Sequence, residues 1–568
     1  MTAGGALRHA AAPLLLAAVF AAVADAVATR VIAPAGPLDW DEGYHALFGL
    51  RAFEALHRFD LLTFLYDSYR SVYWPPLHSW FLAGVFSLAG TSAVTARATS
   101  LAALAAAALF TFLAGRRIGG RAAGAIAALA LLAAPGVAVL SGRAMLEVPA
   151  LALLAAALFA SAVFLDPSRL PGRSACGAVG LLTFATFLTK ANYGVLLALA
   201  LAGTALVEGA RAARGDASGP GRRSWILAAA GLALPLAVWF AYTPKIRSTL
   251  DALANTPVGP HRFSHEGLLY YPKAAAVLLG APLLALLAAG AAVAFVRRRR
   301  EPAVVAIALL AALQLLFAEL SATKRNRHLL PVVPALALLG GVGLADAYRT
   351  AERRGRTALA FGGAAVLAVQ VPVFFASLRP ATPAEGSAFL DALVKSLPTR
   401  SSFAVVGTID GPVAPATIDF FLAGRGLLPV EGAASLHLPS EERALASLAS
   451  RFPRLAGQLS EARRRWPGPS AFSAYLGFPP GNAARRWTEA NVSQRLAAAL
   501  ADRRADVVVA VSGGDRLRPE VTPEFWEERL APLGYRPSGP GAEASGAVLT
   551  AFRRGNPPEN VPSAAPVR

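Results

Sequence analysis

The sequence predicts a polytopic α-helical membrane protein of about eleven transmembrane helices, followed by a soluble α/β domain. Composition carries the first half of that reading. Of 568 residues 55% are hydrophobic and only 16% charged, with a mean hydropathy of +0.48, values foreign to soluble globular chains. Pattern carries the second half: up to residue 377 the apolar residues gather into runs of roughly 17 to 25, the length that crosses a bilayer, and beyond it they shorten to strand length. The net charge of +19 is then a question of topology before it is one of nucleic acid. Cys176 is the single cysteine, which excludes an intrachain disulfide and argues against a cysteine metal site.

Taken in order, the spans fall at 10–29, 98–115, 121–140, 149–165, 174–190, 193–209, 224–242, 274–296, 302–320, 329–346 and 357–377. The first shares features with a signal peptide, since Arg8 precedes its apolar core, but the ten runs that follow make it a span. Segment 76–92, PPLHSWFLAGVFSLAGT, suits either a span or a helix lying in the interface, and the arginines choose between them. With 76–92 on the outer surface, the basic connections at 115–121, 166–173, 208–223, 297–301 and 346–356 all become cytoplasmic, as the positive-inside rule requires. The expected organisation is therefore a membrane domain over 1–377, with an outer first loop at 30–97 and a cytoplasmic N-terminus. A second domain over 378–568 is expected outside the cytoplasm, and the setting is a bacterial inner (plasma) membrane. Within that tail SFAVVGT (402–408), DVVVAVSG (506–513) and GAVLTAF (546–552) read as strands. Helices are expected near 415–424, 440–464 and 523–531, and the final PPENVPSAAPVR reads as disordered. No internal repeat is evident, and Asn-Val-Ser at 491–493 is a glycosylation triplet of a kind frequent by chance.

Chemistry is sought in the outer connections. PLDWDEGYHALFGL (37–50) sets Asp39, Asp41 and Glu42 behind the first span. Acids there serve a helix N-terminus as well as they serve catalysis. On the same expected face lie Arg97, Arg143, Glu147, Lys190, Lys324, Arg325, Arg327 and His328, cations placed where topology disfavours them. Singly each is compatible with an interfacial anchor. Together they suit a site in which cations hold a phosphate while a carboxylate accepts a proton.

The order WDEGYHAL, WPPLHSWFLAGVFSLAGTSAVTAR, SGRAMLEVPAL, LTFATFLTKANYG and SATKRNRHLLPVVPALALLGG resembles the GT-C superfamily of membrane glycosyltransferases over about residues 10 to 350. Within it the sequence is similar to glycosyltransferase family 39, which holds the protein O-mannosyltransferases, and to the aminoarabinose transferases that act on lipid A. The resemblance implies inverting transfer of a sugar from a polyprenyl-phosphate donor to a lipid, glycan or protein acceptor at the outer face, with no nucleic acid partner. It implies Asp41 as the acid that serves the acceptor as base or organises the site, and Glu42 as its partner. Glu147 matches the acidic position of the second outer loop, Lys190 a lysine near the carrier phosphate, Lys324 to His328 phosphate-facing residues, and Arg97 the arginine opening the second span. Metal use varies across these enzymes, and none is expected to be essential here.

Two departures stand out. Trp74 occupies the place where the family commonly has Lys or His before Pro-Pro-Leu, a charge that Arg70 would have to replace. Glu147 replaces an aspartate found in some members. Two alternatives remain at this level. A transporter would fit the span count and Asp25 in the first span, although transporters gather their charges near the midplane. A GT-C scaffold that binds without transferring is the other.

Overall fold

The computed structural model describes residues 3–70, 75–168, 171–216, 219–241, 260–321, 323–380, 387–398, 401–408, 415–425, 427–429, 436–438, 493, 496–497, 500, 505–512, 521–539, 541–544 and 547–555. The Asn-Val-Ser triplet, the helix expected at 440–464, Trp74 and the last twelve residues lie wholly or largely outside them, as does the Arg70 side chain. The chain forms two compact units. One comprises Met1–Pro34, Tyr73–Phe81 and Ala96–Ala381; the other comprises Ala35–Val72, Leu82–Thr95 and Thr382–Arg568.

The first unit is helical. Among the described residues nine helices are long and apolar enough to cross a membrane: Ala11–Ile32, Ala93–Gly119, Glu147–Phe164, Ala191–Ala212, Arg222–Phe240, Ala281–Arg298, Pro302–Leu320, Val332–Thr350 and Arg353–Ser377. A bent pair, Arg121–Leu132 and Pro135–Ser141 at 64°, lies where a span is expected at 121–140, and the shorter, 17-residue apolar helix Arg173–Thr189 lies where one is expected at 174–190. The continuous span expected at 274–296 is instead broken. His265–Leu279 ends at Gly280, whose φ of 81° lies in the left-handed region, and Ala281–Arg298 starts afresh. Buried Gln370 stabilises both interruptions, its Nε2 donating to the carbonyls of Leu279 at 2.7 Å and Ala133 at 2.9 Å. An apolar phase offers those carbonyls no water.

Leu77–Ala89 has 13 residues, a rise of about 20 Å against a bilayer core of about 30 Å, so it is too short to cross. All five basic connections gather at one end of the helical unit. Arg298 donates to the carbonyl of Ile118 at 2.9 Å and to both oxygens of Asp346 at 2.5 and 2.8 Å. Arg349 reaches the Gly119 carbonyl at 3.2 Å, and Arg211 those of Arg300 and Arg299 at 2.8 and 3.1 Å. Arg117 pairs with Asp166. The alternate connections, holding Arg143, Lys190 and Lys324 to His328, are thereby left for the opposite end.

Among the described residues the second unit is built on a seven-stranded mixed sheet: β1 (Ser402–Thr408), β2 (Leu428–Pro429), β3 (Leu436–Leu438), β4 (Val507–Ser512), β5 (Tyr535–Pro537), β6 (Ala542–Ala544) and β7 (Ala547–Arg554). Its order is β2-β1-β4-β7-β5, parallel from β2 to β4 and antiparallel from β4 to β5, with β3 pairing β1 and β6 pairing β7. The three strands expected from sequence are its centre. All six residues of β4 are buried, consistent with a sheet covered on both faces. On one face Trp526 donates its indole N–H to the Val511 carbonyl at 3.1 Å and Tyr535 its hydroxyl to that of Ala505 at 2.9 Å. On the other, helix Pro415–Ala423 packs and in turn carries helix Trp40–His57 from the first loop.

Candidate functional site

Within the helical unit, Lys190 ends helix Arg173–Thr189 and begins helix Ala191–Ala212, extended between them at φ −149° and ψ 107°. The hairpin is tight because Gly194 lies on Phe187, where a Cβ would come 2.5 Å from the Phe187 amide nitrogen. Its tip presents the Lys190 ammonium to Glu147, the first residue of helix Glu147–Phe164, at 2.6 Å. Arg327 Nε approaches the same oxygen at 3.5 Å. Glu147 is 1% exposed, so two cations converge on one buried carboxylate and leave an excess of one positive charge.

His328 stands next to this cluster. Gln314 donates to its carbonyl at 2.6 Å, and its Nδ1 lies 3.5 Å from the Tyr271 hydroxyl. Burial, followed by the positive charges of Lys190 and Arg327, lowers its pKa to about 3. The ring is thus neutral near neutrality and would offer a phosphate a hydrogen bond rather than a charge. Burial likewise pushes the Tyr271 phenol up to about 12 and keeps its proton in place.

Lys324 is employed differently. Its buried ammonium donates to the carbonyls of Glu319 and Ala318 at 2.9 and 3.4 Å, pairs with Glu319 Oε2 at 3.0 Å and sits 4.6 Å from the centre of the Tyr271 ring. It caps the end of helix Pro302–Leu320, where a cation complements the helix dipole. Arg325, half-buried, starts the turn that carries Arg327 and His328. Arg97 is fully buried in helix Ala93–Gly119, and one turn later Ser100 donates to the Met145 carbonyl at 3.2 Å, tying that helix to the loop of half-buried Arg143. Gly142 in this loop lies against the first span, for a Cβ on it would come 2.5 Å from Val31 Cγ1.

In the second unit the acidic trio begins helix Trp40–His57. Asp39 is its N-cap: Oδ1 accepts the Glu42 amide at 3.1 Å, and Glu42 Oε2 accepts the Asp39 amide at 3.1 Å, a reciprocal capping box. Glu42 is fully buried, whereas Asp41 between them is half-buried. The Thr417 hydroxyl donates to the Asp39 carbonyl at 3.3 Å, and Phe420 meets Phe86 at 5.8 Å between ring centres.

Residues that the sequence did not single out include Tyr193, whose ring lies 5.2 Å from the Lys190 ammonium, and Tyr271. Asp419 is another: it is buried on helix Pro415–Ala423, and burial pushes its carboxyl well above the usual range despite the charge of Arg51. A readable signal existed for Tyr193 alone, three residues from Lys190 on one helical face. Among the described residues no three His, Cys, Asp or Glu side chains converge as metal ligands do.

Residues 74–239 match the family described as dolichyl-phosphate-mannose-protein mannosyltransferase, a stretch that contains Arg97, Arg143, Glu147 and Lys190. The fold is shared with ArnT from Cupriavidus metallidurans. Its crystal structure bound to undecaprenyl phosphate is 16% identical, with a TM-score of 0.58 over 95% of this chain and 98% of that one. The apo structure of the same protein gives 16% and 0.55 over 95% and 97%. A looser likeness links the chain to the oligosaccharyltransferase AglB from Archaeoglobus fulgidus, 11% identical with a TM-score of 0.48 over 87% of this chain and 69% of that one. No curated protein sequence matches. The likeness to ArnT extends over nearly the whole of both chains, helical part and terminal sheet together, and it is a likeness of fold.

Proposed function

We propose that this chain is a glycosyltransferase that moves a sugar from a polyprenyl-phosphate carrier to an acceptor hydroxyl at the outer face of a plasma membrane. The observation that carries the proposal is the convergence of Lys190 and Arg327 on buried Glu147, at the end of the helical unit opposite the five basic connections. The positive-inside rule assigns that end to the outer side. A donor with one phosphodiester carries one negative charge, which the excess positive charge of the trio matches. The mannosyltransferase-like segment spans Glu147 and Lys190, and the shared fold includes an ArnT structure that holds undecaprenyl phosphate. A transporter reading is disfavoured because these charges lie at helix ends rather than midway along them.

In the proposed reaction the acceptor oxygen attacks the anomeric carbon, the bond from that carbon to the phosphate oxygen breaks, and polyprenyl phosphate leaves with one added negative charge. Lys190 and Arg327 stabilise that charge as it develops, the most effective place for electrostatic catalysis. Asp41 accepts the acceptor's proton. Glu42 acts indirectly, since its bond to the Asp39 amide shapes the helix start on which Asp41 stands. Arg97, Arg143 and His328 are supporting groups for the carrier side, and the cap formed by Lys324 holds their turn in place.

The test is purified protein with a panel of radiolabelled polyprenyl-phosphate sugars and candidate lipid, glycan and peptide acceptors. Label should leave the carrier, and Asp41→Asn should slow transfer by roughly 100-fold or more at unchanged carrier affinity. Turnover of the Asn variant at the wild-type rate would remove Asp41 from the chemistry. Release of label with every carrier absent from the wild type would overturn the transferase assignment itself.

A further inference from the structure

Helix Ala191–Ala212 opens with its first turn beside the cationic cluster, and no side chain caps it. Lys190 is its N-cap residue and Tyr193 stands at its third position. Tyr193 is completely buried, yet its hydroxyl has no hydrogen-bond partner among the described residues. Its ring meets the Lys190 ammonium at 5.2 Å, and the phenol lies within electrostatic reach of both Glu147 and Arg327. Such a hydroxyl costs free energy when left unmatched, and native structures satisfy nearly all of them. A tyrosine retained where phenylalanine would fill the same space therefore points to a partner that comes and goes.

We propose that Tyr193 is a ligand of the carrier phosphate, its hydroxyl donating to a phosphate oxygen while Lys190 and Arg327 neutralise the charge. This rests on the reading of the Lys190 and Arg327 cluster as the phosphate site. Helix geometry supports it: the first-turn amides of a helix and the positive end of its dipole favour an anion at this place. The chemistry supports it as well. A phenol donates without adding charge, so the site gains a directional contact for the tetrahedral phosphate while its net charge still matches a phosphodiester. Glu147, an acceptor with no proton to give when ionised, holds Lys190 and Arg327 in position and leaves the phenol's proton to the incoming ligand.

The experiment compares wild type with Tyr193→Phe, Lys190→Ala and Arg327→Ala, measuring affinity for undecaprenyl phosphate and for the uncharged alcohol of the same chain, together with thermal unfolding without ligand. Tyr193→Phe keeps the ring over Lys190 and removes only the oxygen. It should weaken phosphate binding about tenfold or more, leave alcohol binding unchanged, and unfold at the wild-type temperature or above it. Wild-type phosphate affinity in Tyr193→Phe, with both cation variants weakened, would overturn this assignment and leave the cluster intact. Unchanged affinity in all three would overturn the phosphate site itself. A lowered unfolding temperature or failure to fold in Tyr193→Phe would show that the hydroxyl has a structural partner, which also overturns it.

Discussion

Replacing Lys190 with methionine keeps most of its apolar stem and deletes the ammonium that lies 2.6 Å from Glu147 Oε1. Glu147 is 1% exposed, and of the two cations Arg327 then remains, its Nε 3.5 Å from that oxygen and too far for a strong hydrogen bond. Leaving a buried carboxylate half-neutralised costs about 3 to 5 kcal/mol. Adding Glu147→Gln removes the stranded charge, so the double variant should be more stable than Lys190→Met alone, with a coupling of about 2 kcal/mol or more. Thermal or denaturant unfolding in detergent without ligand measures the three corners of the cycle against wild type.

Affinity for polyprenyl phosphate should not follow stability. The double variant keeps Arg327 and loses one charge of each sign, so the cluster has the same net charge as wild type. If net charge alone set affinity, binding would be restored. If the ammonium touches the phosphate, binding should stay at least tenfold weaker, as expected for losing a charge-assisted contact. Strictly additive stabilities would refute the claim that Glu147 and Lys190 are one buried unit. Restored affinity would refute the claim that Lys190 is a ligand.

Gly43→Ala should destabilise the second unit by about 1 to 3 kcal/mol, because its Cβ would come 2.9 and 3.0 Å from the Thr417 backbone and force two helices apart; faster proteolysis within 415–423 checks it. His328 is neutral in the fold down to about pH 3, whereas in the unfolded chain it takes up a proton below about 6.5, so its contribution to stability is present above that value and is lost as pH falls between the two. His328→Asn should therefore flatten the acid side of the stability profile, measured by unfolding at pH 7, 5 and 4. A reporter active only outside the cytoplasm should be silent when fused after Arg300 and active after Pro380; activity at Arg300 would invert the proposed orientation.

Hydropathy exposes the spans because the bilayer demands long apolar runs, and the alternation of basic connections sorts their ends. It could not expose Gly280, where the run stays apolar while the helix breaks at a φ of 81°, because hydropathy carries no information about dihedrals. The strands of the second unit were legible for a similar reason, since buried β-branched runs such as Val507–Ser512 have the right length and little else to be. The capping box was also present in the spacing of Asp39 and Glu42, three residues apart, and local pairs of that kind need no tertiary knowledge.

The candidate site divides along the same line. Lys190 and Arg327 were suspect for standing on the side that topology disfavours, a global argument from charge alone. The structure adds their meeting on Glu147, 43 residues before Lys190, and no local rule reveals a contact of that range. Lys324 and His328 show why charge in a sequence underdetermines role. Both belong to one basic run, yet Lys324 is consumed by the carbonyls of Glu319 and Ala318, and His328 loses its charge to burial and to its own neighbours. Two cations brought close raise the electrostatic cost of a third, so the clustering of Lys190 and Arg327 adds to burial in keeping His328 neutral. In the run SATKRNRHLLP, Arg327 thus meets Glu147, Lys324 caps a helix and His328 is a neutral ring, differences fixed by packing and reflected in the sequence only as an excess of basic residues.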